Sequence, residues 1–399
     1  MKSDTPINTL DIGLANVPVC TSNISFTTVG NDGKPILMYR GFSIYDLIKS
    51  GFEEIVYLIL YNHLPNRDQL DRFCTKLKDN MPLNREILDH IESYPRHAQL
   101  MDLTLTTFSY ARMWDEDYTN DVWRHITGDT EQRSRFLLDT GIRMGAKIPA
   151  IFCYGYRHLN GRKFIAPERS LSYAGNILNM LGVDPDEDAS RALNTTLILY
   201  LDHTINCSTF SALVAESSGV DPYGPYIAAS VALKGVLHGG ANDLAAAMFN
   251  EVDDPKKARQ YILDKLKNKE IVFGFGHRLA HYKGTVESRV NITENLMRPL
   301  AEKRNMGHLL EIYDTIKETM MREKDRAPNL DFPVALLYRV LGLPTEINTP
   351  VFQASRHFGW VANVRRQRDD GGPLYRPKQK YTGPGLDDMR TYIPLDERE

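Results

Sequence analysis

Two histidines of this chain stand among glycines. His238 lies in the stretch LHGGAN, and His277 follows the stretch FGFG. Glycine lets a backbone turn tightly and lets another group approach it closely, so each histidine can present a ring nitrogen while backbone N–H groups come near. One such histidine alone is typical of a packed core beside a turn. Two of them indicate a shared site for acid–base chemistry.

A carboxylate that could act with these histidines is Asp331, in the stretch NLDF ahead of a helical segment. Aspartate in this position commonly caps a helix by accepting from backbone N–H groups. The functional alternative is a carboxylate base held at the entrance of the helix. Both interpretations are open at the level of the sequence.

Further polar residues could bind a substrate that carries several carboxylates. His203 and Asn206 lie three positions apart in DHTINCSTF, which predicts that they share one face of a helix. Arg289, Arg356 and Arg376 lie near the candidate catalytic stretches, and guanidinium groups bind carboxylates in a bidentate manner. The alternative is a polar helix end and three solvated arginines.

The elements that must position these residues are nearly all helical. Residues 24–29 and 36–39 predict a hairpin around the turn Gly30–Gly33, and after Gly41 the apolar pattern becomes helical. The chain shows no alternation of strands and helices and no glycine-rich phosphate loop, which argues against a Rossmann or P-loop domain. The predicted helices span residues 52–61, 68–78, 100–113, 132–144, 170–181, 189–213, 309–320, 335–340 and 350–367, with a further helix beginning at Asp254 and Pro255.

The composition excludes several classes of protein. The chain has 399 residues, enough for two domains, and its net charge of -3 gives no reason to expect nucleic acid or an anionic membrane as a partner. Four dispersed cysteines indicate free thiols in a reducing compartment and no metal site. No secretory, transit or peroxisomal signal is seen, so we expect a cytoplasmic protein.

These motifs together resemble the citrate synthase family over nearly the whole chain. The two most specific signatures are LKGVLHGGAN, from Leu233, and GFGHR, from Gly274. DHTINCSTF, NLDF and YRPKQKYTG support them. The resemblance implies an all-α, two-domain fold with a small N-terminal hairpin. It places a large domain at 1–237, a small domain at 238–335, and a return to the large domain with a C-terminal arm at 336–399. It also implies a homodimer with shared active sites.

The resemblance further implies an acyltransferase that condenses an acyl-CoA with oxaloacetate and releases CoA, so that the acyl group becomes an alkyl group. Asp331 would take a proton from the α-carbon of the thioester, His238 would stabilise the enolate, and His277 would protonate the keto oxygen. Acyl-CoA would be a substrate, and no cofactor would be needed. The oxaloacetate residues would be His203, Asn206, Arg289, Arg356 and, from the partner chain, Arg376. The CoA residues would be Lys234, Gly235, Phe273, Gly274, Phe275, Gly276 and Lys283.

Departures from the family pattern bear on the acyl donor. The stretch that usually reads DPR is Glu287-Ser288-Arg289, and the loop after His277 is altered and longer. Apolar residues at 333–335 follow Asp331, and Leu213 replaces a usual arginine. We therefore expect a longer-chain donor, as in an alkylcitrate synthase. The alternatives are citrate or 2-methylcitrate synthase, a non-catalytic CoA- or metabolite-binding relative, and a lyase that runs the cleavage direction.

Overall fold

The computed structural model describes residues 12–14, 17–30, 33–115, 130–252, 254–277, 284–385 and 388–398. The chain divides into a main unit, Ser22–Pro373, and a terminal unit formed by Met1–Thr21 with Leu374–Glu399. In the described part of the terminal unit, two short 3-10 helices are present, at Ile12–Leu14 and Leu395–Glu397. The Tyr375 hydroxyl donates to the Val19 carbonyl at 3.1 Å and so joins the two ends of the chain within this unit.

The main unit is built almost entirely of helices, which confirms the predicted all-α class. A three-stranded antiparallel sheet comprises β1 (Ser25–Val29), β2 (Pro35–Tyr39) and β3 (Phe42–Ser43). The α-helices in the described residues are α1 (Ile44–Leu47), α2 (Phe52–Tyr61), α3 (Arg67–Asn80), α4 (Arg85–Glu92), α5 (Leu100–Ala111), α6 (Thr130–Leu159), α7 (Tyr173–Leu181), α8 (Glu187–Tyr200), α9 (Cys207–Ser217), α10 (Gly224–Lys234), α11 (Ala241–Glu251), α12 (Pro255–Lys267), α13 (Ser288–Lys303), α14 (Gly307–Lys324), α15 (Asp331–Val340) and α16 (Asn348–Asp369).

The predicted hairpin is confirmed, with Ser25 opposite Tyr39 and Val29 opposite Pro35. Its turn includes Gly33, whose φ of 76° lies in the left-handed region that glycine tolerates. Strand β3 was not predicted, because two residues are too few for an alternating pattern to be recognised.

Helix α16 is the centre of the main unit. It is buried over most of its length, and α2, α6, α8, α9 and α10 pack around it. Such a helix shows little difference between its faces, and its polar residues must find partners inside the protein. Two large side chains, Trp360 and Arg356, are fully buried on it. Polar groups on this helix are therefore held rigidly, as a substrate site requires.

The predicted continuous helix over residues 189–213 is wrong. Helix α8 ends at Tyr200 and α9 begins at Cys207, and the connection between them includes Thr204 with a φ of 55°. Short polar side chains favour such breaks because they offer the backbone alternative hydrogen bonds. Asn206 does this directly, since its side chain accepts from the backbone N–H of Thr209 and caps α9. His203 and Asn206 therefore lie on a connection and do not share a helix face.

Close contact between backbones fixes this connection against α16. A side chain at Gly359 would collide with the carbonyl oxygen of Leu201, so only glycine lets the helix approach so closely. Asp202 is buried in the same place, where Ser25 Oγ donates to its Oδ2 at 2.5 Å. The connection is thus packed between the first strand and the central helix.

Helix α12 confirms the predicted start, because Asp254 caps it by accepting from the Lys256 N–H at 3.0 Å. Helix α15 begins earlier than predicted, at Asp331, because Pro333 falls in its first turn, where proline is tolerated. Helix α6 runs past the predicted end at Met144 and continues through Pro149. No helix in the described ranges is long and apolar enough to cross a membrane.

Candidate active site

His238 lies in the turn between α10 and α11, and its ring is held by a serine. Its Nε2 is 2.7 Å from Oγ of Ser208, at the start of α9. Burial, with a smaller contribution from the charge of Arg356, lowers the pKa of His238 to about 3. The ring is therefore neutral at pH 7 and offers one N–H donor and one acceptor nitrogen.

Ser208 decides which ring nitrogen of His238 carries the hydrogen. Its Oγ accepts from the indole N–H of Trp360 at 3.2 Å and donates to Oδ1 of Asn206 at 2.8 Å. A hydroxyl has a single proton, so in this arrangement Ser208 accepts from Nε2 of His238. When the hydroxyl turns to donate to Nε2 instead, Nδ1 keeps the hydrogen and can donate to a ligand.

His277 lies beside His203. The two ring centroids are 5.2 Å apart, with an interplanar angle of 68°. His203 is buried, and its Nε2 is 3.9 Å from Oε2 of Glu287. Two of the predicted site residues, far apart in the sequence, are thus in ring contact.

Arg289 is buried and paired with Glu287. Its Nε and an Nη each donate to one carboxylate oxygen of Glu287 at 2.8 Å, in the bidentate geometry that guanidinium favours. Glu287 is buried as well, so the pair compensates two charges that would be costly to bury alone. One edge of the Arg289 guanidinium is therefore occupied by the protein.

A short antiparallel contact joins the segment before His277 to the segment before Asp331. The Gly276 N–H donates to the Ala327 carbonyl, and the Asn329 N–H donates to the Gly274 carbonyl, both at 2.9 Å. At Gly274, φ is 82° and a Cβ atom would lie 2.8 Å from the Cβ of Phe332. Glycine is thus required for the two segments to come so close.

Asp331 is the first residue of α15, and its carboxylate does not cap the helix. Leu330 holds the cap position, and Oδ1 of Asp331 instead accepts a hydrogen bond of 3.1 Å from the Tyr200 hydroxyl. Burial raises the pKa of Asp331 to about 6, although this hydrogen bond and the charge of Arg289 oppose the rise. At pH 7 the group is mainly a carboxylate with the basicity to accept a proton. The capping interpretation is therefore wrong.

Arg356 projects from α16 towards the same region. Its Nε donates to the Tyr200 carbonyl at 2.6 Å, and its guanidinium lies 4.7 Å from the centroid of the Phe352 ring. Burial lowers the pKa of Arg356 to about 10, which leaves it charged at pH 7. The Phe352 ring also lies 6.0 Å from the ring of His238 and 4.1 Å from that of Tyr200, which donates to Asp331, so Arg356, His238 and Asp331 share one aromatic neighbourhood.

The remaining predicted residues are placed as follows. Lys234 ends α10, where its ammonium pairs with the Asp102 carboxylate, and the adjacent Gly235 is exposed. Phe275 is buried against Phe332, with ring centroids 4.6 Å apart. Gly274 is buried, whereas Phe273 and Gly276 are half-buried. Lys283 lies outside the described residues, and Arg376 lies in the terminal unit.

Comparison with known proteins shows the family of this chain. The family model described as "Citrate synthase, C-terminal domain" matches residues 13–378. The chain belongs to the citrate synthase family. It is 34% identical over 369 residues to 2-methylcitrate synthase 2 of Corynebacterium glutamicum, covering 91% of this chain and 92% of that protein. It is 32% identical to the citrate synthase of Synechocystis, covering 97% of this chain and 93% of the relative.

Solved structures support the same assignment to the citrate synthase family. The citrate synthase of Pyrobaculum aerophilum superimposes with a TM-score of 0.86 at 30% identity, covering 99% of this chain and 97% of the other. The ternary complex of citrate synthase from Thermoplasma acidophilum with carboxymethyl coenzyme A and oxaloacetate gives a TM-score of 0.85 at 29% identity, covering 98% of this chain and 100% of the other. The citrate synthase-like fold predicted from the motifs is thereby confirmed.

Several residues of this citrate synthase family member that surround the site were not predicted from the sequence. Ser208 lies unremarked within the motif DHTINCSTF, and Glu287 was named only as a departure from the family pattern. Asn242 closes the first histidine motif, which was the available signal for it. Tyr200 and Trp360 stand in apolar segments that suggest core packing and nothing else.

Proposed function

We propose that this member of the citrate synthase family condenses an acyl-CoA with oxaloacetate and hydrolyses the resulting thioester. The observation that supports this proposal is that Phe352 lies 6.0 Å from the His238 ring and 4.1 Å from the ring of Tyr200, which donates to Asp331, while the segments before His277 and Asp331 are paired through their backbones. A carboxylate base, a neutral hydrogen-bond donor and a second histidine are the groups that an enolate-forming condensation needs.

In the first step, Asp331 takes a proton from the α-carbon of the thioester and leaves an enolate. The α-proton is a very weak acid, so the enolate oxygen must be stabilised by a donor that is already in place. Neutral His238 can supply that donor from Nδ1 when the Ser208 hydroxyl turns from Asn206 to donate to its Nε2. The depressed pKa of His238 keeps the ring neutral during the step.

In the second step, the enolate carbon attacks the keto carbon of oxaloacetate and a carbon–carbon bond forms. His277 gives a proton to the keto oxygen, which becomes a hydroxyl group. Water then cleaves the thioester, so that CoA leaves as a thiol and a carboxylate remains. The reaction as proposed needs no external oxidant or reductant. It uses acid–base groups without a cofactor.

Oxaloacetate carries two carboxylates, and His203, Asn206, Arg289 and Arg356 are proposed to bind them. Arg356 is charged and buried, so a carboxylate beside it makes a strong interaction. Glu287 holds Arg289 from one edge and fixes the direction of the guanidinium. The substrate would then contact the Arg289 guanidinium on the side of His203.

We propose that CoA binds along Lys234, Gly235, the segment from Phe273 to Gly276, and Lys283. Lys234 would exchange Asp102 for a phosphate group, an exchange open to it because the ion pair is half exposed.

We also propose that the residues 238–335 form a small domain. That division would place both histidines and Asp331 on one body, which could close over the substrates.

The acyl donor is proposed to be short, either acetyl-CoA or propionyl-CoA. The curated relatives at 34% and 32% identity are a 2-methylcitrate synthase and a citrate synthase. The apolar residues behind the longer-chain prediction, Pro333, Val334 and Ala335, are buried in the core of α15, and Leu213 is buried in α9. They pack against neighbouring helices, which favours the short donor. The longer-chain donor stays a prediction for the assay below.

A homodimer is proposed from an apolar surface on α9, α10 and the turn before His238. Helices α9 and α10 pack together, and on this surface Val231 is 59% and Leu237 75% exposed. Val214 and Val236 are exposed as well. A second copy of the chain would remove these side chains from water. Arg376 is proposed to reach the active site of the partner chain.

The test is a panel of acyl-CoA donors from acetyl to hexanoyl with saturating oxaloacetate, in which release of free thiol is measured. We expect kcat/KM to be highest with acetyl-CoA or propionyl-CoA and to fall with longer chains. A rise towards hexanoyl-CoA would support the longer-chain donor. Absence of thiol release with every donor, from a folded protein that binds oxaloacetate, would support a non-catalytic relative.

A further inference from the structure

A series of three buried side-chain hydrogen bonds ends at the carboxylate of Asp331. The Asn348 side-chain amide donates to Oδ1 of Asn242 at 3.2 Å. The Asn242 amide donates to the Tyr200 hydroxyl oxygen at 2.6 Å, and the Tyr200 hydroxyl donates to Oδ1 of Asp331 at 3.1 Å. The three donors are each at most 1% exposed, so these hydrogen bonds are shielded from water.

The chemistry of the side chains decides which group donates and which accepts in each of these hydrogen bonds. The oxygen of Asn242 is occupied by the Asn348 amide, so its nitrogen faces the tyrosine, and an amide nitrogen can only donate. The Tyr200 oxygen therefore accepts from Asn242, and its single proton is left for Asp331. In the described residues, this is the only side-chain hydrogen bond to the Asp331 carboxylate, and Oδ2 is left for a substrate proton.

Tyr200 also contacts the proposed oxaloacetate arginine. Its backbone carbonyl accepts from Nε of Arg356 at 2.6 Å, and its ring packs on Phe352 with centroids 4.1 Å apart. Phe352 in turn lies beneath the guanidinium of Arg356 and 6.0 Å from the ring of His238. One residue at the end of α8 thus holds the base by its side chain and the arginine by its backbone.

We propose that Tyr200 is a positioning residue, oriented by Asn242 and Asn348, which fixes Oδ1 of Asp331 and so aims Oδ2 at the α-proton of the acyl-CoA. This inference rests on the proposed function, in which Asp331 is the general base. The hydroxyl is also the only group of Tyr200 that the proposal needs, because the ring and the carbonyl serve packing and Arg356.

The decisive variant is Tyr200→Phe, which removes the hydroxyl and keeps the ring on Phe352. We expect kcat to fall by roughly ten- to a hundredfold, since a base that rotates away from its productive position loses about that factor. KM for oxaloacetate should change little, because the Tyr200 carbonyl still holds Arg356. The acidic limb of the kcat/KM profile should move to higher pH, because a hydrogen bond that favours the carboxylate is lost.

The matched control is Tyr338→Phe. Tyr338 is equally buried and lies on α15 with the base, but its hydroxyl is 3.0 Å from Oγ1 of Thr196 and not bonded to Asp331. We expect a similar loss of stability with an unmoved pH profile. The proposal is overturned if Tyr200→Phe keeps kcat within twofold and its acidic limb in place, or if Tyr338→Phe shifts the limb equally.

A second measurement does not depend on turnover. Urea unfolding of Tyr200→Phe, Asp331→Ala and the double variant at pH 7 measures the coupling between the hydroxyl and the carboxylate. We expect the effects on the unfolding equilibrium constant to deviate from additivity by about tenfold or more, as for a hydrogen bond to a charged group. Additivity within about twofold would overturn the contact. If instead coupling is found but no acyl-CoA is turned over, the proposed function has failed and the contact stands.

Discussion

Asn329 donates its side-chain amide to the carbonyl oxygen of Gly276 over 3.1 Å, immediately before His277. The oxygen of the same amide accepts from the backbone N–H of Asp331, also at 3.1 Å. One side chain therefore spans the two segments that carry the proposed acid and the proposed base. Because the backbones of these segments are paired as well, the separation between His277 and Asp331 is fixed by the fold.

Replacing Asn329 with alanine removes this link. We expect a loss of about 1–3 kcal/mol in the free energy of unfolding, since a partly buried backbone N–H and a partly buried carbonyl lose their partner. kcat should also fall under conditions in which the variant is still fully folded, so that lost stability does not account for the lower kcat. Urea unfolding and thiol-release kinetics measure the two effects. The control is Asn160→Ala, whose exposed amide donates only to the Tyr156 carbonyl. Equal kinetics in both variants would contradict the role of Asn329.

Replacing Asp331 with asparagine removes the proposed base and keeps its shape. We expect turnover to fall by about 10²–10⁴-fold or more, which is the usual contribution of general base catalysis. Oxaloacetate binding, measured by calorimetry, should be nearly unchanged. A variant that kept more than about a tenth of the wild-type kcat would show that another residue is the base.

Replacing Ser208 with alanine removes the group that sets the tautomer of His238. We expect kcat to fall about tenfold with little change in KM for oxaloacetate, because the enolate donor is then oriented in only part of the molecules. Ser211→Ala is the matched control, since Ser211 lies on the same helix and its hydroxyl donates to the Ala228 carbonyl at 3.1 Å. A loss of activity in both variants would indicate a general defect of α9.

The pH dependence of the reaction should report Asp331. Burial raises the pKa of this carboxyl to about 6, and the base must be deprotonated to act. kcat/KM should therefore fall tenfold per pH unit below about pH 6, with the slope of a single proton. His238, whose pKa is near 3, should add nothing to this limb. An acidic limb near pH 4, the ordinary range of aspartate, would contradict the assignment.

The proposed reach of Arg376 into the partner's site predicts complementation. A chain with Arg376→Ala and a chain with Asp331→Asn should each be nearly inactive. After subunit exchange, one site of every heterodimer combines an intact Asp331 with an intact Arg376. With equal amounts of the two chains, about half of the dimers are heterodimers. Activity should then rise towards that of half a wild-type site per dimer, averaged over all dimers. No recovery, with exchange verified by mass spectrometry, would exclude the shared site.

Local features of the sequence were sufficient for much of the fold. The hairpin, the helix start at Asp254 and the central helix follow from patterns within a few residues, because caps, turns and apolar periods act over short distances. The residue types of the site were also apparent, since the glycines beside His238 and His277 let the backbone turn tightly and let another group approach each histidine. The failure lay at residues 201–206, where an apolar stripe continued through a break set by Thr204 and Asn206.

The sequence by itself determined which groups were available: two histidines among glycines, a carboxylate before a helix, and dispersed arginines. Only the tertiary structure decided how they are held. Tyr200 donates to a residue 131 positions away, and Asn242 to one 42 positions away. Glu287 proved to be the partner of Arg289. Such contacts depend on which helices pack together, and packing is set by the burial of the whole chain and not by any local pattern.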